Sequence, residues 1–75
     1  MLERVKSIIR EYVNDDQVEI APGSLLVEDL ELSSLEVINL VVAFEDEFGI
    51  EIPERIIPEM HTVQDIVDYL EKNAP

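Results

Sequence analysis

Two neighbouring hydroxyls, Ser33 and Ser34, open the run Ser33-Ser34-Leu35-Glu36, and this is where the sequence offers chemistry. The run fits a capping box, in which the Ser33 side chain accepts from the backbone at Glu36 and Glu36 returns the bond. A Ser pair at a helix start is ordinarily a cap and nothing more. If Ser33 does the capping, however, Ser34 at the first helical position is redundant for it, and its hydroxyl is left to face water. An anionic phosphate joined to that oxygen would meet unpaired N–H groups and the positive end of the helix dipole, a gain of roughly 0.3 to 1 kcal/mol. The geometry suits a covalently held phosphodiester. Nothing nearby in sequence would activate Ser34 as a nucleophile, so such an ester would have to be made by a separate enzyme.

Other reactive constellations are scarce. His61 is the one histidine and there is no cysteine, which leaves no zinc set and no thiol dyad. His61, beside Thr62 and just before the last helical segment, is expected at the surface or in a cap. Carboxylates adjoin one another throughout, as so acidic a composition requires, and a chain of 75 residues has little room for a catalytic cleft. Asp15-Asp16 and Glu45-Asp46-Glu47 lack the spaced ligands, central Gly and closing Glu of a calcium loop, so only diffuse cation binding is expected there, with no metal site. The chain is expected not to be an enzyme.

Eighteen Asp and Glu against five Lys and Arg give a net charge of −13, which repels phosphate backbones and argues against nucleic-acid binding. The distribution says more than the total. No Lys or Arg occurs from Glu11 through Glu54, whereas nine acids fall between Glu28 and Glu54, around and along the second helical segment. Like charges gathered on so small a fold destabilise it, so their concentration points to steering toward basic partner surfaces. The apolar share of 47% is that of a folded domain, not of an acidic tail. No apolar run approaches the roughly 20 residues of a membrane span, and the start lacks a signal peptide's apolar stretch. A single soluble, cytoplasmic, monomeric domain over residues 1–75 is expected.

The elements that must position the hydroxyl follow from periodicity. Leu2, Val5, Ile8, Ile9, Tyr12 and Val13 recur at helical spacing, predicting a first amphipathic helix that stops near Asn14-Asp15-Asp16. From there to Ser33 no period holds, but Val18, Ile20, Leu25, Leu26, Leu30 and Leu32 predict a packed loop. Within it Pro22-Gly23-Ser24 marks a turn, and Ser24 is expected to cap a brief helical turn through Leu25-Leu26-Val27. The second helix runs from the Ser pair through Val37, Ile38, Leu40, Val41, Val42, Ala43, Phe44 and Phe48 to Gly49, a residue suited to a left-handed terminus. So wide an apolar set predicts a central helix, packed by several neighbours or lining a cavity. Ile50-Glu51-Ile52 reads as extended. A short helix then begins after Pro53 and is limited by Pro58, which disfavours the helical region at Ile57. Thr62 is expected to cap a last helix carrying Val63, Ile66, Val67 and Leu70 and ending at Asn73-Ala74-Pro75. The sum is an all-α, four-helix bundle, three helices longer and one short, with a long loop between helices one and two.

The stretch Leu-Val-Glu-Asp-Leu-Glu-Leu-Ser-Ser-Leu-Glu-Val-Ile-Asn-Leu, continued by Phe-Glu-Asp-Glu-Phe-Gly-Ile-Glu-Ile-Pro-Glu and by the final Thr-Val-Gln-Asp-Ile-Val-Asp-Tyr-Leu, resembles the acyl carrier proteins over nearly the whole chain. The resemblance implies a four-helix carrier whose Ser at the start of helix two, here Ser34, bears 4′-phosphopantetheine transferred from coenzyme A by a phosphopantetheinyl transferase. The arm would supply the thiol that this chain lacks, holding acyl groups as thioesters for fatty-acid, polyketide or related acyl-transfer enzymes. Helix two would be the main recognition surface for basic docking patches, with Glu36, Asn39, Glu45, Asp46 and Glu47 at the partner-binding positions. Three departures are visible. Ser33 stands where the family usually has Asp, Asn39 stands where a carboxylate commonly aids docking, and Arg55-Ile56-Ile57-Pro58 replaces a short helix that is often acidic. They point to a specialised carrier with dedicated partners. The missing Asp leaves one other reading open, an acidic interaction module of the same fold that is never modified.

Overall fold

The computed structural model describes residues 1–14 and 17–73. Three α-helices and one 3₁₀ helix follow one another as α1 (Leu2–Arg10), α2 (Ser34–Phe48), the 3₁₀ helix Glu54–Glu59, and α3 (Val63–Asn73). The all-α bundle with its long crossover is as the sequence predicts, and no strand occurs among the described residues beyond one isolated bridge between Leu25 and Thr62. No helix among them is long and apolar enough to cross a membrane.

Each helix turns one face to a shared core. Val5 and Ile9 of α1, Leu40 and Phe44 of α2, and Val63, Ile66 and Leu70 of α3 are all but sealed from solvent. The crossover belongs to that core as well. Ile20, Leu26, Leu30 and Leu32 are buried, so the loop behaves as packed structure, at about 25 cal/mol per Å² of apolar surface removed from water. Backbone bonds then fasten it to the start of α3: the N–H of Leu26 donates to His61 O at 2.9 Å, that of Val63 to Ser24 O at 3.1 Å, and that of Gln64 to Pro22 O at 2.8 Å.

Several local expectations are corrected. The first helix closes at Arg10, short of Asn14, because the chain tightens: Tyr12 N–H bonds to Ile9 O at 2.9 Å, an i→i−3 bond. Val13 is buried all the same, so the tighter turn keeps the apolar face that the periodicity announces, and the expected stop at Asp15-Asp16 lies outside the described residues. Ser24 does not cap the turn that follows it. It is buried, and its Oγ accepts from Ala21 N–H at 2.9 Å, looking backward along the chain. Leu25 N–H instead donates to the Asp29 carboxylate at 2.7 Å, which closes the 25–30 turn. The short helix is 3₁₀ and runs one residue past Pro58, since Ile56 N–H to Pro53 O and Met60 N–H to Ile57 O hold the turns on either side of the missing donor. The end of α3 at Asn73 matches, with Ala74 and Pro75 outside the described residues.

Candidate functional site

The first turn of α2 is built as a reciprocal cap. Ser33 adopts an extended backbone, its Oγ accepts from Glu36 N–H at 3.2 Å, and Glu36 Oε1 accepts from Ser33 N–H at 2.9 Å. Two otherwise unpaired donors are thereby satisfied within one turn. Ser34 is the first helical residue and is exposed, with its side chain taking no part in the cap. The approach to the turn is unusual. Glu31 holds a left-handed conformation at φ 55°, the one such non-glycine among the described residues, so that Leu30 and Leu32 on either side both enter the core. That bend delivers the chain to Ser33 from the crossover. At the far end Gly49 takes φ 65° and its N–H returns to Glu45 O at 2.9 Å, the left-handed terminus the sequence predicts.

Ser34 stands on the edge of a cleft of about 340 Å³ between the crossover, α2 and the segment leading into α3. Leu26, Val37, Ile38, Ile57 and Met60 give it an apolar lining, while Glu28 and His61 are its titratable residues. Among the described residues, no hydrogen bond links Ser34 to either of them, so the hydroxyl lacks the base contact an activated nucleophile requires. The arrangement offers an accessible alcohol at a helix start, beside an apolar recess.

The carboxylates expected to face partners divide. Asp46 is exposed and Asn39 is exposed. Glu36 is held in the cap, Glu45 accepts from Ile52 N–H at 2.7 Å and so fixes the extended 50–52 segment, and Glu47 pairs with Arg4 of α1. Three of those five positions therefore also make bonds within the fold, and Glu47 stays exposed while doing so. No group of three or more His, Asp or Glu is placed to hold a metal among the described residues.

α2 presents an apolar surface beside these positions. The wide apolar set of α2 predicts a helix packed on several sides, yet only Val37, Leu40, Val41 and Phe44 are buried. Leu35, Ile38 and Val42 are exposed at 67%, 47% and 49%, at helical spacing, and Val27 of the crossover is exposed at 59%. With Ser34 adjoining Leu35, the hydroxyl sits at the head of an outward apolar stripe. The signal was present in the breadth of the apolar set, which exceeds what one buried face needs. His61 is exposed, as expected, and its backbone is locked: its N–H donates to Asp65 Oδ2 at 2.9 Å. Thr62 N–H reaches the same oxygen at 3.0 Å and Thr62 Oγ1 accepts from Asp65 N–H at 3.1 Å, the expected cap of α3. These backbone bonds, from Thr62 first and then His61, hold the Asp65 carboxyl below the usual Asp range.

Comparison with known proteins gives a consistent result. Residues 3–70 match the family model described as the phosphopantetheine attachment site. The chain is similar to an acyl carrier protein of Helicobacter hepaticus, 42% identical over 71 residues, spanning 95% of this chain and 93% of that protein. It is likewise similar to an acyl carrier protein of Rhodopseudomonas palustris, 42% identical over 72 residues, covering 96% of this chain and 91% of the relative. A third, from Thermosynechococcus vestitus, is 37% identical over 70 residues, covering 93% and 86% respectively.

Proposed function

The chain belongs to the acyl carrier protein family, whose members are carriers built around a phosphopantetheine attachment site, and on that premise we propose that Ser34 is the residue esterified by 4′-phosphopantetheine. The observation that carries the assignment is the division of labour in the first turn of α2: Ser33 is consumed by the cap and Ser34 is exposed beside the cleft. The residues fit the group. A phosphodiester on Ser34 would lie at the open N-terminal end of a 15-residue helix, where backbone donors and the helix dipole favour an anion. The apolar recess that Ser34 borders suits the uncharged remainder of the arm and a short length of acyl chain.

When bound, the arm supplies the thiol on which acyl groups are held as thioesters. What the protein's own residues contribute is placement. The reciprocal cap fixes the backbone at Ser33 and Ser34, the core residues of α2 hold that turn against the bundle, and the exposed Leu35, Ile38 and Val42 offer a partner an apolar landing strip beside the attachment point. A phosphopantetheinyl transferase would install the arm, and acyl-transfer or synthase enzymes of fatty-acid, polyketide or related pathways would take delivery there. Asp46 and the neighbouring acidic loops would orient approach toward basic docking patches.

Incubation with coenzyme A and a broad-specificity phosphopantetheinyl transferase, followed by intact mass measurement, tests the assignment. One phosphopantetheine is expected on the wild type and on Ser33→Ala, and none on Ser34→Ala. Modification that survives Ser34→Ala would overturn the assignment, and failure of the native host to modify the wild type would favour the unmodified interaction module.

A further inference from the structure

Two recesses meet at one side chain. Besides the cleft that Ser34 borders, a second recess of about 280 Å³ lies between the 3₁₀ helix and α3, where Ile56, Met60 and Tyr69 supply its apolar wall. Met60 is the one residue common to the two linings. The consecutive residues Ile56 and Ile57 divide between them, Ile57 lining the cleft and Ile56 the second recess, and Met60 is buried. A buried side chain that lines both is the partition between them.

The backbone on either side of this partition is held. Met60 N–H donates to Ile57 O at 3.1 Å, and the next residue, His61, accepts from Leu26 N–H at 2.9 Å and donates to Asp65 Oδ2 at 2.9 Å. The side chain is not so fixed. Methionine is unbranched, has three rotatable bonds and adapts to irregular gaps, so it can swing aside while its backbone stays in place.

The sizes of the two recesses give that motion a use. The cleft, at about 340 Å³, stands near the lower end of the range of about 300 to 1,000 Å³ typical of ligand pockets, and the arm itself takes part of it. A long acyl chain outgrows such a space. Past Val27 and Ile38, both exposed lining residues, the added carbons would face water, which apolar surface avoids. Behind Met60 they would meet Ile56 and Tyr69, which are partly buried and packed against the core. Glu59, Asp65, Asp68 and Lys72 complete the lining there as charged residues around that apolar wall.

Resting on the assignment of Ser34, we infer that Met60 is the chain-length gate of this carrier: short acyl groups stay in the cleft, and long ones displace the Met60 side chain and run their ends into the recess beside Tyr69. The ligand class is a long, unbranched, apolar acyl chain. Met60 is a specificity-determining residue in this account and touches no reacting atom.

A length series read by NMR tests this. Butyryl, octanoyl and myristoyl groups, each carrying a carbon-13 label on the terminal methyl, are loaded from their coenzyme A thioesters by a broad-specificity phosphopantetheinyl transferase. The myristoyl methyl should show a nuclear Overhauser contact with the Tyr69 ring, and the butyryl methyl should show none. Tyr12, the other tyrosine, lines neither recess and should not respond to either chain. Met60→Phe should abolish the myristoyl contact with Tyr69 while still being loaded, and Met60→Ala should let a shorter chain, octanoyl, make it. The wild-type series decides the matter even if a variant fails to fold. No contact between the myristoyl methyl and Tyr69, an equal contact from butyryl, or a contact that persists in folded Met60→Phe would overturn the role of Met60 while leaving Ser34 as the attachment point. Absence of any added mass on the wild type after loading would instead overturn both.

Discussion

Arg4 of α1 donates from Nη2 to Glu47 Oε2 at 2.7 Å, and its guanidinium carbon lies 4.6 Å from the centroid of the Phe48 ring. One residue near the N-terminus thus grips two consecutive residues at the end of α2. Glu47, one of the positions expected to face partners, is thereby also engaged with α1. Both side chains are about half exposed, so the ionic part is worth less than about 1 kcal/mol and weakens with salt, whereas the contact with the ring is less sensitive to it. A double-mutant cycle with Arg4→Ala and Glu47→Ala, read by urea unfolding, should give a coupling below about 1 kcal/mol that shrinks in high salt. A coupling of several kcal/mol would contradict the exposed geometry.

The reciprocal cap at Ser33 and Glu36 predicts a stability loss without a loss of the attachment point. Ser33→Ala should lower the unfolding free energy by about 1 kcal/mol. Because both side chains serve the same turn, adding Glu36→Ala should cost less than the sum of the single changes. Denaturant titrations of the three variants check this; strict additivity would mean that the two bonds are energetically independent.

Glu31 carries a left-handed backbone that an L side chain adopts at a cost of about 1 to 2 kcal/mol. Glycine removes that strain but loses more freedom on folding, about 0.5 to 1 kcal/mol. Glu31→Gly should therefore be neutral to stabilising by about 1 kcal/mol, a rare outcome for a glycine introduced into a folded loop. A clear drop in melting temperature would show that the bend is held by more than its dihedral angle.

Asp65 predicts an acid-range dependence of fixed sign. Its folded value lies below its unfolded one, because backbone N–H groups favour the charged form. The carboxylate's contribution to stability is therefore complete above the unfolded value and is lost as pH falls through the lower, folded value. Asp65→Asn should be less stable than the wild type near neutrality, with the difference narrowing below about pH 4. A gap that widens on acidification would reverse the assignment.

What the sequence made legible follows the physics of each signal. The cap, the left-handed Gly49 and the periodic faces of α1 and α3 are local, and the structure agrees with them at Ser33, Glu36, Thr62 and Val63. The breadth of α2 was equally visible, but its meaning was not, because periodicity counts apolar residues without saying which have neighbours. Ile38 and Val42 look like core until the bundle is built. Long-range partners were beyond reach for the same reason. Nothing in the run Glu45-Asp46-Glu47 distinguishes the carboxylate that bonds Ile52 N–H from the one that pairs with Arg4 or the one left outward. The 3₁₀ helix runs one residue past Pro58 because the bonds on either side make the absent donor tolerable.

The lacing of the crossover onto the start of α3, through Pro22, Ser24, Leu26, His61, Val63 and Gln64, has a kinetic consequence. These bonds join segments far apart in the chain, and α2 lies between them, so loop-closure entropy must be met before any of them can reward the molecule. Helices of this length can form within microseconds, so the stitched seam is expected to complete after α2 has found its place. Removing Leu26 from the core should therefore mainly hasten unfolding, with little effect on the rate of first collapse. The seam would be the last feature to form and the first to come undone.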